Sequence, residues 1–184
     1  MQIPAGNKVV GIVGRLVEQK GIDDFIEIAA RIQERQKDCS FIVVGDGPLR
    51  VELEKMAQER KVPIKFTGDR QDLPELLPVF DIFIFTSRWE PFGIIILESL
   101  ASGVPVVGFA VDGMRAIIEK GGGGILVQNR DHAKVAEAAC SLLNDQRRRD
   151  EVARQGYENV QKNFEVKENI KALEEEYQGI LNAR

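Results

Sequence analysis

Short apolar runs alternate with amphipathic stretches along this chain, and that alternation limits its fold more than any other feature. The strand-like runs cover residues 8–13, 40–44, 64–67, 82–85, 104–109 and 124–127. The intervening stretches have helical spacing, as in 21–36, where Ile22, Phe25, Ile26 and Ala29 recur every three or four positions. Strands that alternate with helices build βαβ units, so we expect a six-stranded parallel sheet with helices on both faces.

The last part of the chain, residues 145–184, is different because it is rich in charge and has no strand-like run. Its apolar side chains mark one helical face at Leu173, Tyr177, Ile180 and Leu181. The pattern predicts two helices that break near Asn163 and Phe164. We therefore expect residues 1–184 to form one α/β domain, a Rossmann-like three-layer fold with a helical tail at 145–184.

Composition excludes several classes of protein. The chain is 43% apolar, which is enough for a core, and its net charge of −4 argues against a nucleic-acid binder. Cys39 and Cys140 are far apart and have no metal-ligand spacing, which suits a reducing compartment. No run approaches the ~20 apolar residues of a membrane helix, and the first residues lack a signal-peptide pattern. We expect a cytoplasmic protein.

Two cations follow the first strand. The strand ends at Gly14-Arg15, and Lys20-Gly21 opens the first helix. Because ligands bind at the carboxyl ends of the strands in such sheets, both cations are expected at that edge. Two cations beside a helix N-terminus suit a diphosphate, and a pair of solvated surface charges is the alternative.

The second loop reads Gly45-Asp46-Gly47-Pro48, and its two glycines allow close approach of a ligand to the backbone. It lacks the third glycine of the dinucleotide fingerprint and the Gly-Lys-Ser/Thr of a phosphate loop. An ordinary turn is the alternative interpretation.

The segment from Ser87 to Glu98 carries the strongest local signal. Glu90 lies in a loop directly after a strand, and Gly93 opens a helix whose free N–H groups can hold a phosphate. Glu98 lies on that helix between Leu97 and Leu100, and in an apolar setting its carboxylate needs hydrogen-bond donors, which a ribose diol supplies. A salt bridge for Glu98 and a solvated loop charge for Glu90 are the alternatives.

These motifs occur in the order found in a known family. The chain resembles the C-terminal, donor-binding half of a GT-B glycosyltransferase of the retaining family 4, over nearly all its residues. The matching motifs are Gly14-Arg15-Leu16 with Lys20-Gly21, Val44-Gly45-Asp46-Gly47-Pro48, Phe66-Thr67-Gly68, Glu90-Pro91-Phe92-Gly93 with Glu98, Gly103-Val104-Pro105-Val106-Val107, and Gly124-Ile125-Leu126-Val127. The two glutamates fit the family's E-x7-E pattern.

The resemblance implies a role for each matching position. Arg15 and Lys20 would bind the donor diphosphate and stabilise the leaving group, and Glu90 would contact the transferred sugar. We take these three as the candidate catalytic residues. The other donor-binding positions lie in four places. They are Gly14, Gly45 and Gly47 in the first two loops, Phe66 and Thr67 beside the base, Phe92, Gly93 and Ile94 in the phosphate-binding turn, and Glu98 at the ribose.

The resemblance also implies the substrate and the partner. The donor would be a nucleoside-diphosphate sugar, with UDP as the expected nucleotide, and transfer would retain the anomeric configuration with no cofactor and no metal. The acceptor would bind an N-terminal lobe that this chain lacks, so we expect a fragment or one subunit of a two-chain enzyme, inactive by itself. Any peripheral membrane association would run through that lobe, and no nucleic-acid partner is expected.

One element departs from the family pattern. The family usually has Gly-Gly-x-Pro-Glu after the fifth strand, whereas this chain reads Asp112-Gly113-Met114-Arg115-Ala116. A non-catalytic α/β binding module is therefore an alternative function. A related GT-B epimerase or phosphorylase is another, although the histidines, additional carboxylates or cofactor lysine expected of those enzymes are not evident.

Three further features give no functional signal. We expect His132 on the surface of a helix capped by Asp131, and the run Arg147–Arg149 on a solvated face. Trp89 either shapes the sugar loop or packs there, and the sequence leaves both open.

Overall fold

The computed structural model describes residues 3–165, 170, 174–175 and 177–178. Its strands are Lys8–Val13 (β1), Cys39–Val44 (β2), Ile64–Phe66 (β3), Ile82–Phe85 (β4), Val106–Phe109 (β5) and Gly124–Val127 (β6). Its helices are Ile22–Arg35 (α1), Arg50–Glu59 (α2), Leu73–Leu76 (α3), Ile94–Ala101 (α4), Asp112–Gly121 (α5), His132–Asn144 (α6) and Gln146–Asn163 (α7). Short 3-10 turns cover Glu18–Lys20, Leu77–Val79 and Gln128–Arg130.

The strands form one parallel sheet in the order β3-β2-β1-β4-β5-β6. This confirms the six-stranded parallel sheet predicted from the sequence. In the central strand, Val10 pairs with Phe41 on one side and with Ile82 on the other. The strand order reverses between β1 and β4, and in open sheets of this kind ligands bind in the crevice above that point.

The sheet separates two apolar layers, as alternation along each strand requires. On one face, side chains such as Val10 and Phe41 pack against α1, α2 and α6. On the other face, Val9 and Phe83 pack against α3, α4 and α5, with Phe164 at the end of α7 packed against the same layer. The three-layer arrangement is therefore as predicted, and the aromatic residues of 80–85 are core residues, as expected.

Strand β5 and the helix predicted at 72–80 are both shorter than predicted, and proline explains each of these two differences. Strand β5 begins at Val106 rather than at residue 104, because Pro105 has no N–H to donate to the ladder. The predicted helix at 72–80 ends at Leu76 and continues as a 3-10 turn, because Pro78 cannot donate the next helical hydrogen bond.

Helix α7 ends at Asn163, where the sequence predicted a break. It is tied to α5 by buried Asn159, whose amide donates to the carbonyls of Ile117 (2.9 Å) and Gly122 (3.0 Å). Of the predicted second tail helix, Tyr177 is helical and exposed, while Leu173, Ile180 and Leu181 lie outside the described residues.

The expectation of a solvated face at 147–149 is wrong for Arg149. Its side chain is buried, and its Nη2 lies 3.3 Å from Oδ1 of Asp81, the residue directly before β4. A charge run cannot reveal which of its members faces the sheet, because that depends on the angle at which the helix packs. Within the part of the chain that the structure describes, no helix has both the length and the apolar character needed to span a membrane.

Candidate functional site

The loops after β1 and β2 are joined through their backbones. Gly14 donates to the carbonyl of Val44 (2.9 Å), and Leu16 donates to that of Asp46 (2.9 Å). Gly45 has φ +125°, and a Cβ there would lie 2.2 Å from the carbonyl oxygen of Gly14. No side chain fits between the two loops, so the requirement for glycine at 45 follows from this close approach.

Gly47 and Asp46 hold the second loop in shape. A Cβ at Gly47 would lie 2.5 Å from the carbonyl oxygen of Leu16. The Gly47 N–H donates to the Asp46 carboxylate (2.7 Å), as does Arg50 (2.7 Å), and both hold the pKa of Asp46 below its usual value. The loop is therefore fixed by its own contacts before any ligand arrives.

A hollow of about 440 Å³ opens beside these loops at the carboxyl ends of β1 and β2. It is lined by Val13, Gly14, Arg15, Val44, Gly45, Asp46, Asp69, Arg70 and Leu73. The structure thus brings the predicted Gly14, Arg15 and Gly45 together. The sequence reasoning missed Asp69 and Arg70, although both directly follow the Phe66-Thr67-Gly68 motif, which was the available signal.

Phe66 and Thr67 do not line this hollow. The Phe66 side chain packs against the core on the α2 side, because Phe66 pairs with Val43 and shares its face of the sheet. The Thr67 hydroxyl donates to the carbonyl of Gly68 (3.1 Å). It is the backbone of Gly68 that reaches the site, where its carbonyl accepts from the Gly45 N–H (2.9 Å).

Residues 86–92, here called the strap, cross in front of the β1–α1 loop. The Arg88 N–H donates to the carbonyl of Gln19 (2.8 Å), and the Gln19 side chain donates to that of Trp89 (3.0 Å). The Thr86 hydroxyl donates to the carbonyl of Lys20 (3.0 Å). These contacts place the ammonium of Lys20 against the carboxylate of Glu90 in a partly buried ion pair. Two predicted catalytic residues, 70 positions apart, therefore meet at the β1–β4 crevice.

The strap leads into α4 through Gly93, whose φ of +84° is left-handed. A Cβ there would lie 2.8 Å from Cδ1 of Ile96, so the turn favours glycine both in conformation and in space. Within the described chain, the N–H groups of Phe92, Gly93 and Ile94 donate to no backbone carbonyl. They are unsatisfied donors at the positive end of a helix, which is the arrangement that binds phosphate.

Glu98 is exposed, so its predicted apolar setting is wrong. Helix α4 buries Ile96, Ser99 and Leu100, whereas Glu98 stands one turn after Ile94 on the face turned away from the sheet. Ile94 itself is 65% exposed. The Glu98 carboxylate is accessible to a ligand. Because it is also accessible to water, it does not need a ligand to satisfy its hydrogen bonds.

A buried carboxylate that the sequence analysis did not single out lies behind the strap. Asp24, at the start of α1, is only 5% exposed and is ion-paired with Arg130, with Arg88 nearby (Nε to Oδ2, 3.7 Å). Nε2 of His132 lies 2.7 Å from Oδ1 of Asp24. His132 is therefore not a plain surface residue, and this part of the expectation is wrong. Asp131 does cap α6, accepting from the Lys134 N–H (3.1 Å).

The segment 112–116 that departs from the family pattern forms the first half of α5. The Gly113 N–H donates to the carbonyl of Glu90 (2.9 Å), and a Cβ at Gly113 would lie 2.5 Å from that oxygen. Helix α5 therefore touches the strap directly. Ala116 is exposed further along the helix. Across the described residues, no group of three or more histidine, cysteine or carboxylate side chains is placed to hold a metal ion.

Comparison with known proteins gives a consistent result. Residues 1–159 match the family described as glycosyl transferases group 1. The chain is 34% identical over 149 residues to the alpha-D-kanosaminyltransferase of Streptomyces kanamyceticus, covering 79% of this chain and 39% of that enzyme. It spans 36–52% of the length of eight curated relatives that it matches.

Solved structures share the fold. HepE of Anabaena, crystallised in complex with UDP, superposes with a TM-score of 0.87 at 26% identity, covering 95% of this chain and 50% of that one. The C-terminal domain of the group 1 glycosyl transferase LpcC from Francisella tularensis gives a TM-score of 0.77 at 26% identity, covering 86% and 87%. The fold is that of the C-terminal domain of GT-B glycosyltransferases.

Proposed function

The chain belongs to the glycosyl transferases group 1 family, and from that premise we propose that it binds a UDP-sugar and presents it for retaining, metal-independent glycosyl transfer. The acceptor would be held by an N-terminal lobe. The observation that carries this proposal is the convergence of Lys20, Glu90 and the free N–H groups of α4 at the β1–β4 crevice. The UDP bound in the structure of HepE, whose superposition covers 95% of this chain, supports the choice of nucleotide.

The diphosphate would lie between Arg15, Lys20 and the start of α4. Arg15 is exposed and forms no ion pair with the described residues, so its guanidinium is free to bind phosphate. The Lys20 side chain passes within 3.3 Å of where a Gly14 Cβ would stand, so the absence of a side chain at Gly14 leaves room for the lysine stem. As the sugar leaves, negative charge grows on the diphosphate, and two cations with a helix N-terminus stabilise it.

The Lys20–Glu90 pair holds both side chains in a defined arrangement at the site. The two side chains are only 23% and 14% exposed, so each charge would be costly to leave alone. When the diphosphate binds, the Lys20 ammonium can donate to a phosphate oxygen, and the Glu90 carboxylate can then accept hydrogen bonds from hydroxyl groups of the sugar. Glu98, open to solvent one turn into α4, would accept the ribose hydroxyls.

The hollow beside Gly14, Gly45 and Arg70 would receive the base. It lies over β1 and β2, on the opposite side of the crevice from β5, so nucleotide and sugar would extend in opposite directions from the diphosphate. Arg70 is held by Asp72 through a hydrogen bond from Nε (2.7 Å), which leaves the planar guanidinium beside this hollow.

Titration calorimetry with UDP, GDP and ADP tests the proposal. We expect UDP to bind best and Arg15→Ala and Glu98→Ala each to weaken it. Arg154→Ala, at an exposed position on α7, is the matched control and should change nothing. Lack of binding by all three nucleotides at millimolar concentration would refute donor binding by this chain.

Metal independence and the need for a second lobe are tested separately. EDTA should leave UDP affinity unchanged. Sugar transfer by the 184-residue chain alone should be undetectable, because the surface that orients the acceptor and excludes water would be missing. Transfer at an ordinary enzymatic rate by this chain would contradict the two-lobe part of the proposal.

A further inference from the structure

A second hollow, of about 470 Å³, lies between the strap and the β5–α5 loop. It is lined by Arg88, Trp89, Glu90, Pro91, Val111 and Asp112. Its volume is within the range of small-ligand sites, roughly 300–1,000 Å³. Because β5 neighbours β4, this hollow lies across the crevice from the hollow beside Gly14 and Gly45.

Resting on the proposed donor binding, we infer that Trp89 and Asp112 form the subsite that selects the transferred sugar, with the indole ring under the sugar and the Asp112 carboxylate on its hydroxyls. The position of the hollow fits a sugar subsite. Glu90 lines the hollow and is paired with Lys20, so the hollow begins where the diphosphate would end. The sugar is the part of the donor that continues from that point.

The chemistry of the lining also fits a sugar. A pyranose has an apolar C–H face and an edge of hydroxyl groups, so it is recognised by an aromatic ring together with hydrogen-bond acceptors. Trp89 is 55% exposed, although it follows the fully buried strand β4 within a few residues. Glu90 and Asp112, which both carry carboxylates, line two walls of the same hollow. An exposed aromatic ring beside fixed polar groups is the usual composition of a small-molecule site.

The exposed ring is carried by a rigid segment. The Trp89 carbonyl accepts from the Gln19 side chain (3.0 Å), and the residues on either side of Trp89 are also held, Arg88 by Gln19 and Glu90 by Gly113. A backbone that is hydrogen-bonded on both sides of Trp89 pre-organises the ring, and pre-organisation lowers the entropic cost of binding.

Asp112 accounts for the departure from the family pattern. The family glutamate position is occupied by Ala116, which is exposed on α5 and does not line the hollow. Asp112, in the first turn of α5, does line it and forms no ion pair with the described residues. A carboxylate is therefore supplied to this wall from a different position, so we expect a different pattern of sugar hydroxyls to be read.

The test compares UDP with UDP-glucose and UDP-N-acetylglucosamine by titration calorimetry on the 184-residue chain. UDP affinity measures donor binding, and the ratio of UDP-sugar affinity to UDP affinity measures the subsite. Trp89→Ala should reduce that ratio by about tenfold for the preferred sugar while UDP affinity is kept, and Trp89→Phe should restore part of it. Asp112→Asn should change which sugar is preferred.

Glu119→Gln is the control for Asp112→Asn. It removes a carboxylate from α5 outside the hollow and should leave the ratio of UDP-sugar affinity to UDP affinity unchanged. Trp89 is the single tryptophan of the chain, so its fluorescence should change with the UDP-sugar and not with UDP. If UDP binds but the ratio survives both Trp89→Ala and Asp112→Asn, the subsite is refuted and donor binding stands. If UDP itself fails to bind, donor binding and the subsite fall together.

Discussion

Gly113 is where helix α5 touches the strap, and replacing it by alanine separates two opposing effects. In a helix interior this substitution ordinarily stabilises a protein by about 0.5–1 kcal/mol, because glycine loses more backbone freedom on folding, and in the first turn, where Gly113 lies, this value is an upper bound. Here the new Cβ would lie 2.5 Å from the carbonyl oxygen of Glu90 and 2.9 Å from that of Phe92. Both neighbours are backbone atoms, so neither can turn away as the end of a side chain can.

The required displacement follows from these distances. Close C–H···O contacts lie at about 3.3 Å, so the strap and α5 must separate by roughly 0.8 Å. That movement also lengthens the hydrogen bond from Gly113 to Glu90, worth about 1 kcal/mol. The lost bond offsets the helix-propensity gain, so we expect little net change in melting temperature. Because Trp89 and Glu90 move with the strap away from the positions proposed to contact the sugar, UDP-sugar affinity should fall about tenfold, or about 1.4 kcal/mol.

Two assays and one matched control measure this. The fluorescence of Trp89, carried on the strap, should shift in Gly113→Ala without any ligand, and calorimetry should show the loss of UDP-sugar affinity. Ala116→Gly makes the opposite change at an exposed position of the same helix. It should lower stability by about 1 kcal/mol, or about 2–4 °C in a chain of this size, while the fluorescence stays unchanged. A Gly113→Ala protein with higher melting temperature, unchanged fluorescence and full affinity would refute the reasoning.

Three further predictions concern charge and thiol chemistry. Lys20→Ala should weaken UDP binding at least about tenfold, because it removes a cation that would bind the phosphate and leaves Glu90 unpaired. Lys55→Ala, on the exposed face of α2, is the control and should have no effect in the same titration. Burial raises the pKa of the Cys39 thiol to about 11, so it should react with iodoacetamide at pH 8 only after unfolding, and fast modification of the native protein would contradict its buried position. Asp24→Asn should destabilise the fold by about 2 kcal/mol in urea unfolding, less than for a fully buried network because Arg130 is 46% exposed; an unchanged midpoint would show that the cluster contributes nothing.

The positions of the strands along the chain were predictable because the signal for each strand is local. A run such as Ile82–Phe85 is apolar at every position, which is typical of a strand covered on both faces, and each such run is bounded by glycine, proline or a helical pattern. The motif residues at Gly14, Gly45 and Gly93 were predictable for a similar reason, since each lies directly after a strand or before a helix. The reason that glycine is needed is local at Gly93, which has a left-handed turn conformation, whereas at Gly45 it includes the approach of the Gly14 carbonyl from another loop, which the sequence does not show.

Errors arose where a side chain's environment depends on distant residues. Glu98 was expected in an apolar setting because its sequence neighbours are apolar, but the rotation of α4 against the sheet turns Ile94 and Glu98 outward together. His132 was expected at the surface, yet it bonds to Asp24, 108 positions earlier. No local pattern encodes that contact.

The sequence by itself determined the α/β class, the parallel sheet, the cores of most helices and the set of loops that carry polar groups, because hydrophobic periodicity and turn chemistry act over a few residues. Only the tertiary structure decided which of those groups meet. Strand order 3-2-1-4-5-6 brings the loop after β1 beside the loop after β4, and so pairs Lys20 with Glu90. The same packing exposes Trp89 and sets α5 against the strap, since the positions of loops are fixed by how layers pack rather than by the residues within them.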